Sequence, residues 1–175
     1  MNLAMVLAVY ATVSKHLKVP LRFPGVPGAY RSLIEMTDAG LLAKAMVWAA
    51  TDPRAANQAY NINNGDLFRW EHLWPILAKD FNIPVAPPLP MRLADVMGDK
   101  EPVWEQIVAA HDLAPTPYRD VSSWVFGDAV FSWDYDLIAD GSKARRHGFH
   151  EYVDTEAMFV RIFDEMRARR IIPPR

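Results

Sequence analysis

The sequence predicts an α/β fold that is mostly helical, with a few short strands that do not complete a sheet. Apolar residues recur at three- and four-residue spacing along most of the chain, which is the pattern of helices with one buried face. Segments 21–23 and 60–62 are predicted as short strands because turn residues lie beside them, and 33–36 is a further short strand candidate. Two or three strands are too few for an independent sheet, so we expect them to extend a sheet whose other strands lie outside this chain.

Two helices are predicted before residue 51. The first covers 2–18 and ends before Pro20. Its expected buried face consists of Leu3, Val6, Leu7, Tyr10, Val13 and Leu17. The second is capped by Thr37 or Asp38 and runs to about residue 50. Its residues expected to face inward are Leu41, Leu42, Ala45, Met46 and Ala49.

A tight turn is predicted at 63–66, where the sequence is Asn-Asn-Gly-Asp, because glycine and asparagine tolerate positive φ angles. A helix follows, and Pro75 inside it is expected to kink or divide it. Its apolar face consists of Trp70, Leu73, Trp74, Leu77 and Phe81. Segment 84–90 contains four prolines and no helical pattern, so it is predicted to be a rigid crossing segment.

Short helices are predicted for most of the remaining chain. One covers 91–97, one opens at Glu101 with proline in its first turn, and the aromatic-rich stretch 120–131 is helical at first. Another helix ends at Gly148. The last helix is capped by Asp154 or Thr155. Its buried face consists of Met158, Phe159, Ile162, Phe163 and Met166.

Composition excludes several classes of function. The net charge is −2 and the basic residues are interleaved with acids, so no nucleic-acid partner is expected. No stretch approaches the roughly 20 apolar residues of a membrane span, so no membrane partner is expected either. The chain has no cysteine, which excludes disulfides, thiolate metal sites and a cysteine nucleophile. The same absence is consistent with a cytoplasmic protein.

Three arrangements that might carry chemistry are better explained by structure. No glycines have the spacing of a dinucleotide site, so this chain alone is predicted to bind no cofactor. Tyr10 and Lys15 are five residues apart, whereas two residues that share a helix face are three or four apart, and they are interpreted as a core tyrosine beside a surface lysine. His147 and His150 flank a glycine and are interpreted as part of a turn, so no catalytic or metal-binding residue is assigned.

The aromatic group of 124–135 leaves two interpretations open. The group consists of Trp124, Phe126, Phe131, Trp133 and Tyr135. Such side chains favour core packing in the first place. The alternative is the wall of an apolar ligand pocket, which needs large aromatic faces and few polar groups.

Several short motifs, taken in order, resemble one family over essentially the whole chain. They are Met1-Asn2-Leu3, Leu21-Arg22-Phe23-Pro24-Gly25, Thr37-Asp38-Ala39, Trp48-Ala49-Ala50-Thr51-Asp52-Pro53, Asn61-Ile62-Asn63-Asn64-Gly65-Asp66, Lys100-Glu101-Pro102-Val103-Trp104-Glu105, Trp124-Val125-Phe126-Gly127-Asp128 and His147-Gly148-Phe149. The stretch 59–74 is the most informative of them. The chain resembles the substrate-side, C-terminal half of extended short-chain dehydrogenases of the progesterone 5β-reductase and iridoid synthase branch. These enzymes are part of the NAD-dependent epimerase/dehydratase superfamily.

The resemblance implies an NADPH-dependent reductase that delivers hydride to the β-carbon of a conjugated enone or enal. By the same resemblance, Phe126 and Met1 line the substrate pocket. Ile34 stands where plant members have a pocket serine, which argues against a steroid-like substrate. The glycine loop and the catalytic tyrosine and lysine of the family precede the matched region, so the resemblance assigns none of them here.

The resemblance also implies a domain division and a choice of partners. Residues 1–82 would be the end of the dinucleotide-binding sheet of a Rossmann fold, with 20–36 on the substrate side, and 83–175 a mostly helical substrate-binding region. In one interpretation the chain is part of an enzyme and has no catalytic activity by itself. Its partners would be a small apolar carbonyl substrate and either the N-terminal half of the enzyme or a second copy of the chain. In the other it is a free-standing domain that binds a small molecule or a partner without catalysis.

Overall fold

The fold is predominantly helical in the computed structural model, which describes residues 2–175. Within that range the chain forms ten α-helices, named α1 to α10 in chain order, and one 3-10 turn at Pro53–Ala55. The helices are α1 (Leu3–His16), α2 (Pro27–Arg31), α3 (Ala39–Thr51), α4 (Trp70–Asp80), α5 (Leu93–Met97), α6 (Glu101–His111), α7 (Tyr118–Val121), α8 (Trp124–Phe131), α9 (Ser142–Arg146) and α10 (Thr155–Ala168). None of them is both long enough and apolar enough to cross a membrane.

The predicted strands form only isolated bridges within the described residues. Leu21 bridges Val85 in parallel, and Ile34 bridges Phe68 antiparallel and Leu137 in parallel. Segment 60–62, which was also predicted as a strand, has neither strand nor bridge structure. A ladder requires a neighbouring strand whose amides and carbonyls face it, and no such neighbour lies beside 60–62 in the described chain.

The proline-rich segment 84–90 does cross the molecule, and it runs beside 21–24. Leu21 N donates to Pro84 O at 2.9 Å, and Leu89 N donates to Phe23 O at 3.1 Å. Since proline lacks an amide hydrogen, the other residues of this segment make the donor contacts. The crossing therefore holds 21–24 in an extended conformation.

Helix α1 lies at the centre of the core and is buried on nearly all sides. Ten of its residues are buried, including Thr12 and Ser14, and it packs against α6, α8 and α10. The predicted single apolar face was therefore wrong, and Leu17 lies beyond the helix with 41% of its surface exposed. A helix surrounded by other helices has no polar face to offer to water.

An aromatic cluster packs beside α1. Trp70 and Trp74 of α4 are fully buried, and the ring of Phe131 lies 5.3 Å from Trp70 and 6.0 Å from Trp74. Phe23 lies 5.3 Å from Phe131 and 5.2 Å from Trp74, close to edge-on in both pairs. Such edge-on pairs stabilise a core beyond the burial of their area.

Helix α4 runs through Pro75 without interruption, so the predicted division was wrong. Proline removes one hydrogen bond, to the carbonyl four residues earlier. Burial of Trp70, Trp74 and Leu77 on both sides of the proline stabilises the continuous helix against that loss.

Candidate substrate cleft

A large cleft opens between the first turn of α1, the start of α3, helix α8 and helix α10. Its volume is about 1130 Å³, slightly above the usual range of ligand pockets, about 300–1,000 Å³. Its apolar lining includes Leu3, Met5, Ile34, Phe126, Val130, Trp133, Leu137, Phe159, Ile162 and Met166. Its polar lining includes Asn2, Glu35, Thr37, Asp38, Lys44, Arg161, Glu165 and Arg169.

Two of the three residues predicted to be in the substrate site lie at this cleft. Phe126 is half-buried on α8 and forms part of the wall. Ile34 is 1% exposed, so it lies beneath the cleft surface and supports the wall from below. Met1 lies outside the described residues, although its neighbours Asn2 and Leu3 line the cleft. No observation tests the substrate-binding role of these residues, which stays a prediction.

The turn at 63–66 positions α3 and α10, two of the helices that border the cleft. Asn64 is fully buried, its Oδ1 accepts from Asp38 N at 2.6 Å, and its Nδ2 donates to Thr155 Oγ1 at 2.9 Å. One side chain thereby joins the residue before α3 to the first residue of α10. Gly65 has φ +97°, as predicted for this turn.

The same turn anchors α10 a second time through Asp66. Thr155 N donates to Asp66 Oδ2 at 2.7 Å, and the hydroxyl of Thr155 donates to Asp66 Oδ1 at 2.6 Å. Asp154 caps α10 by accepting from Ala157 N at 2.7 Å, in agreement with the sequence.

Asp38 and Arg161 form the polar rim of the cleft. Asp38 caps α3 by accepting from Leu41 N at 2.9 Å, and its other oxygen pairs with the guanidinium of Arg161. Arg161 also binds Glu165 at 2.7 Å. Hydrogen bonding to Glu165, assisted by the charge of Asp38, raises the pKa of Arg161 above its ordinary value. Arg161 therefore remains positively charged at physiological pH.

The aromatic group at 124–135 is divided between the core and the cleft. Phe131 is in the core, Phe126 and Trp133 line the cleft, and Tyr135 is 55% exposed. Trp124 packs near Tyr118, with 6.2 Å between ring centroids. Core packing is therefore confirmed for Phe131, whereas the pocket-wall interpretation stays a prediction for Phe126 and Trp133.

Tyr10 and His147, which the sequence offered as possible catalytic or metal-binding residues, make contacts that stabilise the fold. Tyr10 is buried and donates to Arg22 O at 3.0 Å, and burial raises its pKa to about 12. His147 Nδ1 lies 2.7 Å from the hydroxyl of Tyr60, at the turn where Gly148 has φ +102°. Among residues 2–175, no cluster of three or more His, Asp or Glu side chains could hold a metal ion.

The eight glycines do not fit the pyrophosphate of a dinucleotide. Such a site needs glycines with open space above them at a helix N-terminus. Here every glycine has another protein atom within 3.3 Å of the place where a Cβ would lie. Gly127, for example, packs against Val6, and Gly25 against the carbonyl of Phe131. At these two buried glycines the absent side chain allows close internal packing.

Leu137 and the rim charges were not among the residues predicted for the site. Leu137 lines the cleft because its backbone bridges Ile34, 103 residues earlier, and no local pattern signals such a pairing. For α10 a signal was present. Its predicted buried face is shared, since Phe159, Ile162 and Met166 line the cleft while Phe163 packs 5.0 Å from Phe81.

The chain is similar to several known proteins that share one name, (S)-8-oxocitronellyl enol synthase. The chain is 40% identical over 176 residues to (S)-8-oxocitronellyl enol synthase of Antirrhinum majus, and 38% identical over 177 residues to that of Camptotheca acuminata. It is 37% identical over 177 residues to the enzyme of Catharanthus roseus. Each match covers 99% of this chain and 45% of the relative, so the chain spans about half the length of the curated relatives. No family model matches the sequence.

The predicted resemblance is therefore confirmed over nearly the whole chain, and its extent corresponds to about one half of such an enzyme. This chain is a homologue of the iridoid synthase-like extended short-chain dehydrogenases.

Proposed function

We propose that this chain forms the substrate-facing part of an NADPH-dependent reductase that acts on a conjugated enal or enone of a small apolar molecule. The single observation that carries the proposal is the cleft of about 1130 Å³ with Phe126 in its wall and Ile34 beneath it. The relatives are named for an 8-oxocitronellyl enol, which supports a flexible, mostly hydrocarbon substrate.

The residues of the chain bind and orient such a substrate. Phe126, Trp133 and Met166 offer apolar surface to a hydrocarbon chain and exclude water from the reacting carbons. Ile34 offers no hydrogen-bond donor, which favours a hydrocarbon over a hydroxylated ligand at that wall. Asp38 and Arg161, joined at the rim, leave polar contacts to the carbonyl end of the substrate.

NADPH in an enzyme of this type supplies hydride to the β-carbon of the conjugated system. Since the glycines of this chain do not fit its pyrophosphate, we assign cofactor binding to the part of the enzyme outside the matched 45%. By itself, the chain is then expected to bind substrate without turnover, because transition-state stabilisation needs the donor in place.

An exposed apolar face of α3 supports association with that other part. Leu42 is 43%, Met46 66% and Val47 65% exposed, although they lie in a helix whose only charged residue is Lys44. A helix that is apolar all round is normally buried. The proposed partner is the nucleotide-binding half of the fold. The short bridged segments at Leu21 and Ile34 would then lie beside the sheet of that half. A second copy of this chain is the competing partner.

A non-catalytic ligand-binding domain is the second candidate, and the continuous core favours it. One cluster of buried apolar residues extends from Ala4 to Ile172, so the chain carries a substantial core of its own. Both candidates use the cleft, but only the reductase requires a cofactor-binding partner.

The experiment is a titration of the chain with citral, an apolar conjugated enal, followed by tryptophan fluorescence. Trp133 lines the cleft and should report binding by quenching. We expect Phe126→Ala to weaken binding about tenfold, by loss of an aromatic contact. Tyr135→Ala, which removes an exposed aromatic outside the cleft, should change it less than twofold. Equal loss in both variants would contradict the assignment of the cleft.

A parallel titration with NADPH tests where the cofactor binds. The reductase proposal expects no saturable binding below about millimolar concentration by this chain alone. Stoichiometric micromolar binding would refute our assignment of the cofactor to another part of the enzyme. Full-strength binding of citral without any effect of an added nucleotide-binding half would favour the non-catalytic candidate.

A further inference from the structure

Two consecutive asparagines, Asn63 and Asn64, are bonded to the walls of the cleft, although neither of them lines it. Asn64 is fully buried and Asn63 is half-buried. The two residues bond with different parts of the chain. They can therefore act on the shape of the cleft without touching a substrate.

Asn64 is bonded to four residues that line the cleft. Its backbone N donates to Met36 O at 2.8 Å, and its backbone O accepts from Val153 N at 2.9 Å. Its side chain accepts from Asp38 N at 2.6 Å and donates to the sulfur of Met158 at 3.5 Å. All four partners line the cleft near the starts of α3 and α10, and together they are termed the α3–α10 wall.

Asn63 is bonded to the non-helical connection between α8 and α9. Its Nδ2 donates to Glu35 Oε2 at 2.8 Å and to Ala139 O at 3.2 Å. The other carboxylate oxygen of Glu35 accepts from Ala139 N at 2.8 Å, so two side chains satisfy both backbone groups of Ala139. Glu35 lines the cleft together with Trp133 and Leu137 of the same connection, and these three residues are termed the α8–α9 wall.

The backbone of the turn does not explain why asparagine stands at both positions. Asparagine is favoured in turns partly because it tolerates positive φ. In this turn Gly65 has the positive φ, whereas Asn63 and Asn64 do not. What the two asparagines supply is a side-chain amide, which offers a donor and an acceptor at a fixed spacing. The hydrogen bonds to the walls therefore account for both residues.

These bonds resist movement of the walls. A buried donor or acceptor that loses its partner costs free energy, because no water replaces the partner. We propose that Asn63 and Asn64 are positioning residues, each for one wall, and that they determine which shapes of apolar enal the cleft accepts. This inference rests on the proposed function of the cleft. Walls that are held in place before binding discriminate between ligands, whereas released walls adapt to either ligand.

Hydrogen exchange distinguishes positioning from a general contribution to stability. Lower stability of the whole chain speeds exchange at all protected amides, whereas release of one wall speeds it locally. Four backbone N–H groups that bond to neither asparagine report on the walls. The first pair, at the starts of α3 and α10, is Leu41 and Ala157, and the second pair, in the α8–α9 connection, is Leu137 and Ala139.

The exchange of these four amides is measured by NMR on the 175-residue chain. We expect Asn64→Ala to speed exchange about tenfold at the first pair and less than about twofold at the second pair. Asn63→Ala should do the reverse. If Asn64→Ala does not fold, Thr155→Val replaces it, because Thr155 Oγ1 accepts from Asn64 Nδ2 at 2.9 Å and valine keeps the shape without the hydroxyl.

Binding selectivity is the second measurement. Citral and (E)-2-decenal are conjugated enals with the same number of carbons, but citral is branched and decenal is linear. In the fluorescence titration, we expect the dissociation constants of the unchanged chain to differ by about fivefold or more. Asn63→Ala and Asn64→Ala should each bring the ratio to within about twofold of one. Lost stability alone would weaken both enals by the same factor and leave the ratio unchanged.

Asn61→Ala is the matched control. Asn61 is exposed, and its Nδ2 donates at 3.2 Å to Asp140 O, which is outside the cleft. This variant should leave both the ratio and the exchange of the four amides unchanged.

Three results would overturn the inference while the proposed function stands. They are equal binding of the two enals by the unchanged chain, the same selectivity ratio in the unchanged chain and in both wall variants, and faster exchange spread equally over all four amides. The absence of saturable binding of either enal by the unchanged chain would instead refute the proposed function, and with it the selectivity inferred from it.

Discussion

Helices α1 and α3 are almost equal in length and in apolar content, but their surroundings differ. Ten of the 14 residues of α1 are buried, whereas only Leu41 and Ala45 of the 13 residues of α3 are. The packing partners of α1 are α6, α8 and α10 of the same chain. The contrast shows that the chain covers α1 on nearly all sides but covers only one side of α3. This is what a helix at a boundary with another protein region would look like.

The largest expected effect on stability is at Trp70, in the aromatic cluster beside α1. Replacing Trp70 by alanine should lower the free energy of unfolding by about 3–5 kcal/mol, because it empties a fully buried site among aromatic rings. Urea denaturation of the 175-residue chain measures this. Tyr135→Ala, at an exposed aromatic, should stay within about 0.5 kcal/mol. A loss below about 1 kcal/mol for Trp70→Ala would mean that the aromatic cluster is loosely packed.

Two adjacent leucines sharpen the comparison within α3 itself. Leu41 is 2% exposed and Leu42 is 43% exposed. Leu41→Ala should destabilise the chain by about 2–4 kcal/mol, and Leu42→Ala by about 0.5 kcal/mol or less. Both variants have the same composition, so urea denaturation isolates the effect of position. Equal losses would show that the face of Leu42 is already covered in solution, as by a second copy of the chain.

A smaller loss of stability is expected at Asp38, which both caps α3 and pairs with Arg161 at the rim of the cleft. Asp38→Ala removes the cap of α3 and the partner of Arg161, and should cost about 1–2 kcal/mol. Asp154→Ala is the matched control, because it removes the cap of α10 at an exposed position and should cost about 1 kcal/mol or less. If the control variant proves the more destabilising, the ion pair between Asp38 and Arg161 contributes nothing beyond the cap.

The smallest effect is expected at the surface end of α3, and it depends on pH. Hydrogen bonds from Arg54 hold the pKa of Asp52 well below its usual range. A carboxyl with a lowered folded pKa stabilises the protein above its unfolded pKa, about 3.9, and loses that contribution as the pH falls below it. Asp52→Asn should therefore be less stable than the original chain at pH 7, and the difference should shrink as the pH falls below about 3.9.

Urea denaturation at three pH values between 7 and 2 checks this expectation. The difference is expected to be small, because Arg54 is largely exposed and water screens the pair. A difference that grows toward acid pH has the wrong sign and would show that another group dominates.

Helix positions, caps and the 63–66 turn were predictable because their signals are local. Asp38 and Asp154 are short acceptors at helix starts, and Gly65 sits where a positive φ is needed. The inward face of α3 was not predictable. Leu42 and Met46 are as apolar as Leu41, and periodicity cannot tell which partner a face meets, or whether the chain contains it.

The cleft was predictable only through resemblance. Phe126 and Ile34 are 92 positions apart, and their common cavity depends on pairings of Ile34 with Phe68 and Leu137 that no local pattern encodes.

The buried amide of Asn64 has a consequence for what can enter the cleft. Its carbonyl oxygen holds the residue before α3 and its nitrogen holds the first residue of α10, so moving these two helix starts apart means breaking both bonds in a dry environment. The start of α3 and the start of α10 are therefore held at a fixed separation where both helices border the cleft.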